Sequence, residues 1–278
     1  MNEPHEIRAL AAADISEYLA SVDDFAFERE VYHVAHSLRF EAEHAALYTD
    51  PVTEKPRQFD VRASYTAGTD KIALAIECKG LSRDFPLLLS CVPRTGPEAY
   101  HQILIADDVM GPGQSFTRIR TVPSKEYYSP YAPNRGVGKS MRQVRREVKG
   151  LKAGQMVSGE DIFDKWMQAL ASLSEMIDSG ARQLRAGKKL VHQIAFLPIL
   201  VVSDGTIWVA DYSSRGELQR EPFEVDSIEY YLARKYPLAR EGVSLTITHL
   251  HIMTRTKIRS FLEEIALGGS IWQGLFGG

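Results

Sequence analysis

Asp60, Glu77 and Lys79 are the residues of this 278-residue chain whose types and spacing could do chemistry. They stand in "RQFDVRASYTAGTDKIALAIECKG", residues 57–80, where two apolar, strand-like runs flank the turn-like "TAGTD". Alternate side chains of a strand share a face, so Glu77 and Lys79 point to one side and Cys78 to the other. Ala73 and Ala75 share the face of Glu77, and such small residues leave room for a metal or a phosphate. If the two runs pair as a hairpin, Asp60 lies opposite Glu77, and two carboxylates and an ammonium converge at one sheet edge. Hard oxygen donors of this kind suit Mg²⁺ or Mn²⁺, which keep several waters and bridge to phosphate oxygens.

The elements that must position these groups follow from periodicity. From about Asp14 to Ala46 the pattern is helical, with Phe27, Val31, Val34, Ala35 and Leu38 on one apolar stripe. Strands are expected near 40–48, 57–66 and 72–79, and in "FPLLLSCVPR" at 85–94. Residues 107–135, with Pro and Gly among polar residues and tyrosines, read as a long loop. "KSMRQVRREVKGLK" at 139–152 reads as a helix, as does 160–186. Two strands joined by a Ser-Asp-Gly turn are expected in 192–212 and a helix at 226–236. A strand at 243–253 and a last short helix at 257–267 lead to a loosely attached tail. Helices and strands mix throughout, which predicts an α/β fold with a mixed sheet.

Phe59-Asp60 and Glu77-Cys78-Lys79 resemble the PD-(D/E)XK nuclease superfamily, which has the restriction-endonuclease-like fold. In that family an aspartate and an (Asp/Glu)-x-Lys stand on adjacent strands, a glutamate often comes from the preceding helix, and the core runs helix, three strands, helix, strand. The resemblance implies a mixed central sheet flanked by helices in a single domain over 1–278. Its core would be about 14–80 and 160–265, with a long insertion at about 81–158 after the catalytic strand. Phe59 departs from the proline that often precedes the family aspartate. A second Asp/Glu-x-Lys, Glu147-Val148-Lys149, sits in a basic, helix-like stretch with no strand or aspartate nearby.

The roles implied are those of a metal-dependent endonuclease acting on DNA. Asp60, Glu77 and the main-chain carbonyl of Cys78 would hold Mg²⁺ or Mn²⁺, and Lys79 would orient the attacking water. Glu28 and Glu30 flank the helix stripe at similar angles, and the resemblance of "FExxV" to the family's first helix favours Glu28. Gln168, on the second core helix, is a further candidate for the site. The competing expectations are a catalytically inactive nucleic-acid-binding or assembly module of the same fold, and an unrelated α/β domain with Asp60 and Glu77 on different faces.

A formal net charge of −3 and a pI near 6.3 do not attract nucleic acid by themselves, so a local basic patch is required. Lys139, Arg142, Arg145, Arg146 and Lys149 form the densest one. Tyr127, Tyr128 and Tyr131 upstream either stack on bases or pack on their own protein. "RGVGKS" at 135–140 lacks the first glycine of a phosphate-binding loop and a preceding strand, which argues against nucleotide hydrolysis. His33 with His36, and His249 with His251, lack a third ligand and read as packing or surface residues. Two cysteines, Cys78 and Cys91, are too few for a disulfide framework. With no signal-peptide pattern and no long apolar run, a soluble cytoplasmic protein is expected, and a homodimer is compatible with the sequence.

Overall fold

The computed structural model describes residues 9–22, 24–111, 114–124, 131–147, 156–159, 162–186 and 191–276. Two helices lead the chain, α1 (Ala12–Val22) and α2 (Phe25–Ser37), where one was expected over 14–46. The chain leaves α2 through Arg39 in the left-handed region (φ 65°) and at once becomes extended. There follow β1 (Glu41–His44), β2 (Leu47–Thr49), β3 (Pro56–Gln58), β4 (Val61–Ala67) and β5 (Asp70–Lys79). Next come β6 (Leu87–Pro93), β7 (Gln102–Gly111), β8 (Gln114–Pro123), β9 (Gly136–Arg146) and β10 (Met156–Gly159). The long helix α3 (Ile162–Arg185) leads into β11 (Gln193–Val202), β12 (Ile207–Asp211), β13 (Phe223–Glu224), β14 (Ser227–Leu238) and β15 (Val243–Thr254). Two helices, α4 (Arg255–Ala266) and α5 (Ser270–Phe276), close the chain.

Among the described residues, thirteen strands form one mixed sheet with the main order β1-β4-β5-β11-β15-β14-β9-β6-β12-β13, and β2 with β3 makes a separate two-stranded ribbon. β1, β4 and β5 are an antiparallel meander, α3 crosses over, and β11 returns parallel to β5 with Leu200 opposite Glu77. β5 is buried from Ile72 to Cys78, as a central strand covered on both faces must be. Ile72, Leu74, Ile76 and Cys78 pack with Phe27 and Val31 of α2, Phe261 of α4 and Leu275 of α5. Ala73 and Ala75 take the other face, under Leu170, Leu173 and Ile177 of α3. Each large side chain so buried contributes roughly 1.5–3 kcal/mol, which fixes the register of β5 and hence where Glu77 and Lys79 emerge.

Several expectations are corrected. Residues 139–146 are strand β9, not a helix, because β9 is held between β14 and β6 and its main chain pairs with theirs. Cations three and four apart imitate a helix face, but that spacing fills no apolar stripe. Residues 226–236 fall in β14, where Ile228, Tyr230 and Leu232 alternate onto the core before a bulge at Ala233 (φ 48°). Much of the expected loop at 107–135 is the antiparallel β7–β8 hairpin. Within 81–158, β6 and β7 pair with strands of the main sheet, β7 with β11 and β6 with β12. The tail is seated, with Ile271 and Leu275 buried. Lys149, Tyr127 and Tyr128 lie outside the described residues. No helix among the described residues is long and apolar enough to cross a membrane.

Candidate functional site

The β4–β5 register puts Val61 opposite Ile76, and Asp60, one residue earlier, beside Glu77. Asp60 stands at the bend where the chain passes from the β2–β3 ribbon into the main sheet. Two main-chain bonds fix that bend, Phe59 N to Ala46 O at 3.1 Å and Ala45 N to Asp60 O at 3.0 Å. Phe59 is buried, with the Arg62 guanidinium 4.1 Å above its ring, and Arg62 donates to Ser172 O of α3 at 2.9 Å.

The three residues singled out by spacing converge. Oδ2 of Asp60 accepts from the Cys78 amide at 2.7 Å. The Lys79 ammonium lies 3.0 Å from Glu77 Oε1 and 3.9 Å from Asp60 Oδ2. Both carboxylates are inside the protein, Asp60 8% and Glu77 1% exposed. Oε1 of Glu77 has the Lys79 ammonium as its ion-pair partner and accepts from no other group. Burial first, and then the Asp60 charge, push the Glu77 carboxyl up to about 8. Burial raises Asp60 to about 6 against the opposing pull of Lys79 and the Cys78 amide. For Lys79, burial works against the charge, but Glu77 and Asp60 outweigh it and hold the ammonium protonated. Cys78 points into the α2–α4 layer, and burial raises its thiol far above the ordinary range.

Asp24, beside the start of α2, is a member of this site that the sequence reading missed. It does not cap its own helix; its Oδ1 instead accepts from the Gly80 amide at 2.6 Å, and its Oδ2 lies 3.4 Å from Lys79 Nζ. A Cβ on Gly80 would come within 2.9 Å of Asp24 Oδ1, so the contact depends on glycine there. The single helix expected over 14–46 placed Asp24 in its interior, where nothing singled it out. His44 was missed too: its Nε2 lies 3.1 Å from Glu28 Oε2. Glu28 faces the site, where its charge adds to the upward shift of Asp60 and Glu77, whereas Glu30 is paired with Arg255. The structure thus separates two glutamates that helix angles left equivalent.

Other candidates lie elsewhere. Gln168 is half-buried on α3 and makes no hydrogen bond to Asp60, Glu77 or Lys79. Measured along the sheet, β9 is four strand spacings from β5, roughly 19 Å at the usual ~4.8 Å each. On it, Lys139 is bound to Glu98 and sits 4.2 Å over the Tyr231 ring, and Arg145 lies 3.9 Å from Glu147. Arg142 and Arg146 are exposed and share a strand face. Tyr131 is fully buried, its hydroxyl 2.7 Å from His251 Nε2 and its ring stacked on His101 and His249. His249 and His251 are therefore core residues, while His33 and His36 are exposed. A cavity of about 820 Å³ opens between α3 and the β1–β4 edge, lined by Arg62, Lys71, Glu175 and Arg182, but neither Asp60 nor Glu77 lines it.

Among the described residues, no three His, Cys, Asp or Glu side chains are grouped so that they could hold a metal by themselves. What fits a divalent cation is the pair of buried carboxylates, Asp60 and Glu77, gathered around one ammonium. No protein-family model, curated protein or solved structure is significantly similar to the chain.

Proposed function

We propose that the chain is a metal-dependent nuclease of the PD-(D/E)XK type, with the restriction-endonuclease-like fold, hydrolysing DNA phosphodiester bonds. The observation that carries this reading is the convergence of Asp60 and Glu77, both buried, from adjacent strands on Lys79 at 3.9 and 3.0 Å. The order of helix α2, the meander β1-β4-β5, the crossover helix α3 and the parallel β11 supports the fold assignment.

In this reading Asp60 and Glu77, with the main-chain carbonyl of Cys78, would hold Mg²⁺ or Mn²⁺. The bound ion supplies activation of water and neutralisation of the scissile phosphate. The Cys78 amide keeps Asp60 oriented through its 2.7 Å bond. Lys79, 3.0 Å from Glu77, would position the attacking water and steady negative charge on the phosphorane. Glu28, held by His44, orders water on the helix side of the site. Arg142 and Arg146 on β9 lie roughly 19 Å from β5 along the sheet, a separation smaller than one ~34 Å turn of a duplex. These two arginines grip phosphates away from the scissile one.

A second reading, a catalytically inactive nucleic-acid-binding or assembly module of the same fold, draws on the lack of a third metal-ligating side chain among the described residues and on Lys79 already neutralising the pair. Incubation with plasmid, linear duplex and single-stranded substrates, with Mg²⁺ and with chelator, tests the first reading. Cleavage with Mg²⁺ that is lost in both Asp60→Asn and Lys79→Ala is expected. Retained cleavage in both purified variants sinks the assignment, and absence of Mn²⁺ binding by calorimetry favours the inactive module.

A further inference from the structure

We infer that Asp24 is a positioning residue for Lys79: it receives the ammonium when Asp60 and Glu77 turn to a metal ion. The inference rests on the metal-dependent reading of the site. Four observations carry it. Lys79 Nζ is placed among three carboxylates, at 3.0 Å from Glu77, 3.4 Å from Asp24 and 3.9 Å from Asp60, so in the metal-free site the ammonium is the counter-ion of the pair. A cation entering that pair must displace it. Asp24 stands outside the pair, its side chain 26% exposed against 2% for that of Glu77, and precedes α2 instead of lying on the strands. Its carboxylate is aimed before any metal arrives: Oδ1 is fixed by the Gly80 amide at 2.6 Å, which leaves Oδ2 toward Lys79, and Gly80 has no Cβ to block the approach.

An N-cap aspartate ordinarily accepts from the first amides of its own helix and gains about 1 kcal/mol of helix stability. Asp24 makes no such bond. Its side chain reaches across to the residue after Lys79 instead, a use that stabilises the position of the lysine at the expense of the cap. Without Asp24, an ammonium displaced from Glu77 has only water to go to, so it competes harder with the metal. With Asp24, the movement is short and the positive charge stays within reach of the attacking water.

The test is a double-mutant cycle on Mn²⁺ affinity, measured by titration calorimetry on the full chain. Asp24→Asn keeps an oxygen for the Gly80 amide and removes only the charge. In the native background it is expected to raise the Mn²⁺ Kd about fivefold, the scale of one partly exposed charged contact. In a Lys79→Met background there is no ammonium to receive, and Asp24→Asn is expected to leave the Kd unchanged. An equal loss in both backgrounds means that Asp24 acts on the metal as a distant charge, and no loss in either means that it does not act at all; both results overturn the inference. If the unsubstituted protein binds no Mn²⁺, the metal-dependent reading fails first and this inference with it, a result distinct from either.

Discussion

Glu77→Gln is expected to stabilise the metal-free protein in alkaline buffer and to leave it nearly unchanged in acid. Glu77 is 1% exposed, and burial with the neighbouring Asp60 moves its carboxyl from the ordinary 4.5 to about 8. A carboxyl whose folded-state pKa stands above its unfolded value binds its proton more tightly when folded. Folding is therefore unaffected by it below about pH 4.5, loses stability as the pH rises, and carries the full penalty only above about pH 8. At about 1.4 kcal/mol per pH unit this displacement corresponds to about 5 kcal/mol. The glutamine also forfeits the attraction to Lys79 at 3.0 Å, although Asp24 and Asp60 continue to hold that ammonium. The net gain expected at about pH 9 is about 2–4 kcal/mol, falling toward zero near pH 4. Urea unfolding of both proteins with chelator present, across that range, measures it, and the difference between the two cancels the pH dependence of groups remote from Glu77. Mg²⁺ added at pH 8 should stabilise the unsubstituted protein and not Glu77→Gln. A difference that stays constant with pH refutes the buried, proton-retaining carboxylate.

The buried imidazoles act in the opposite sense. Burial lowers His251 to about 3 and His101 to about 4, so the stability that each neutral ring contributes is complete above about pH 6.5 and is lost progressively as the pH falls toward those values. His251→Gln should reduce the proton uptake on unfolding near pH 5 by about one, read as the slope of stability against pH, and an unchanged slope contradicts a neutral buried ring. For DNA, Arg142→Ala with Arg146→Ala should weaken binding at all sequences alike and flatten the slope of log affinity against log salt by up to about two, while Mn²⁺ affinity stays constant. An unchanged salt slope removes β9 from the binding surface.

What the sequence determined by itself was the pair of strands and the groups at their ends. Alternation placed Glu77 and Lys79 on one face and Cys78 on the other, and "TAGTD" between two apolar runs was compatible with an antiparallel hairpin that sets Asp60 opposite Glu77, the pairing the structure has. The stripes of α2 and α3 were legible for the same reason: their apolar residues recur at the helical period because one face of each is buried. The tertiary structure decided the rest. β9 and β14 became strands because neighbouring strands offered their main chains more pairing than an isolated helix gains from side-chain spacing. The choice of Glu28 over Glu30 depended on Arg255 and His44, which come from 225 residues and 16 residues away in the chain. Asp24 could be assigned only once Gly80 lay against it, 56 residues on. Periodicity reports which face of an element is buried, because burial acts on every turn or every second residue; which charge meets which is fixed by one contact between distant segments, and a single contact leaves no period to read.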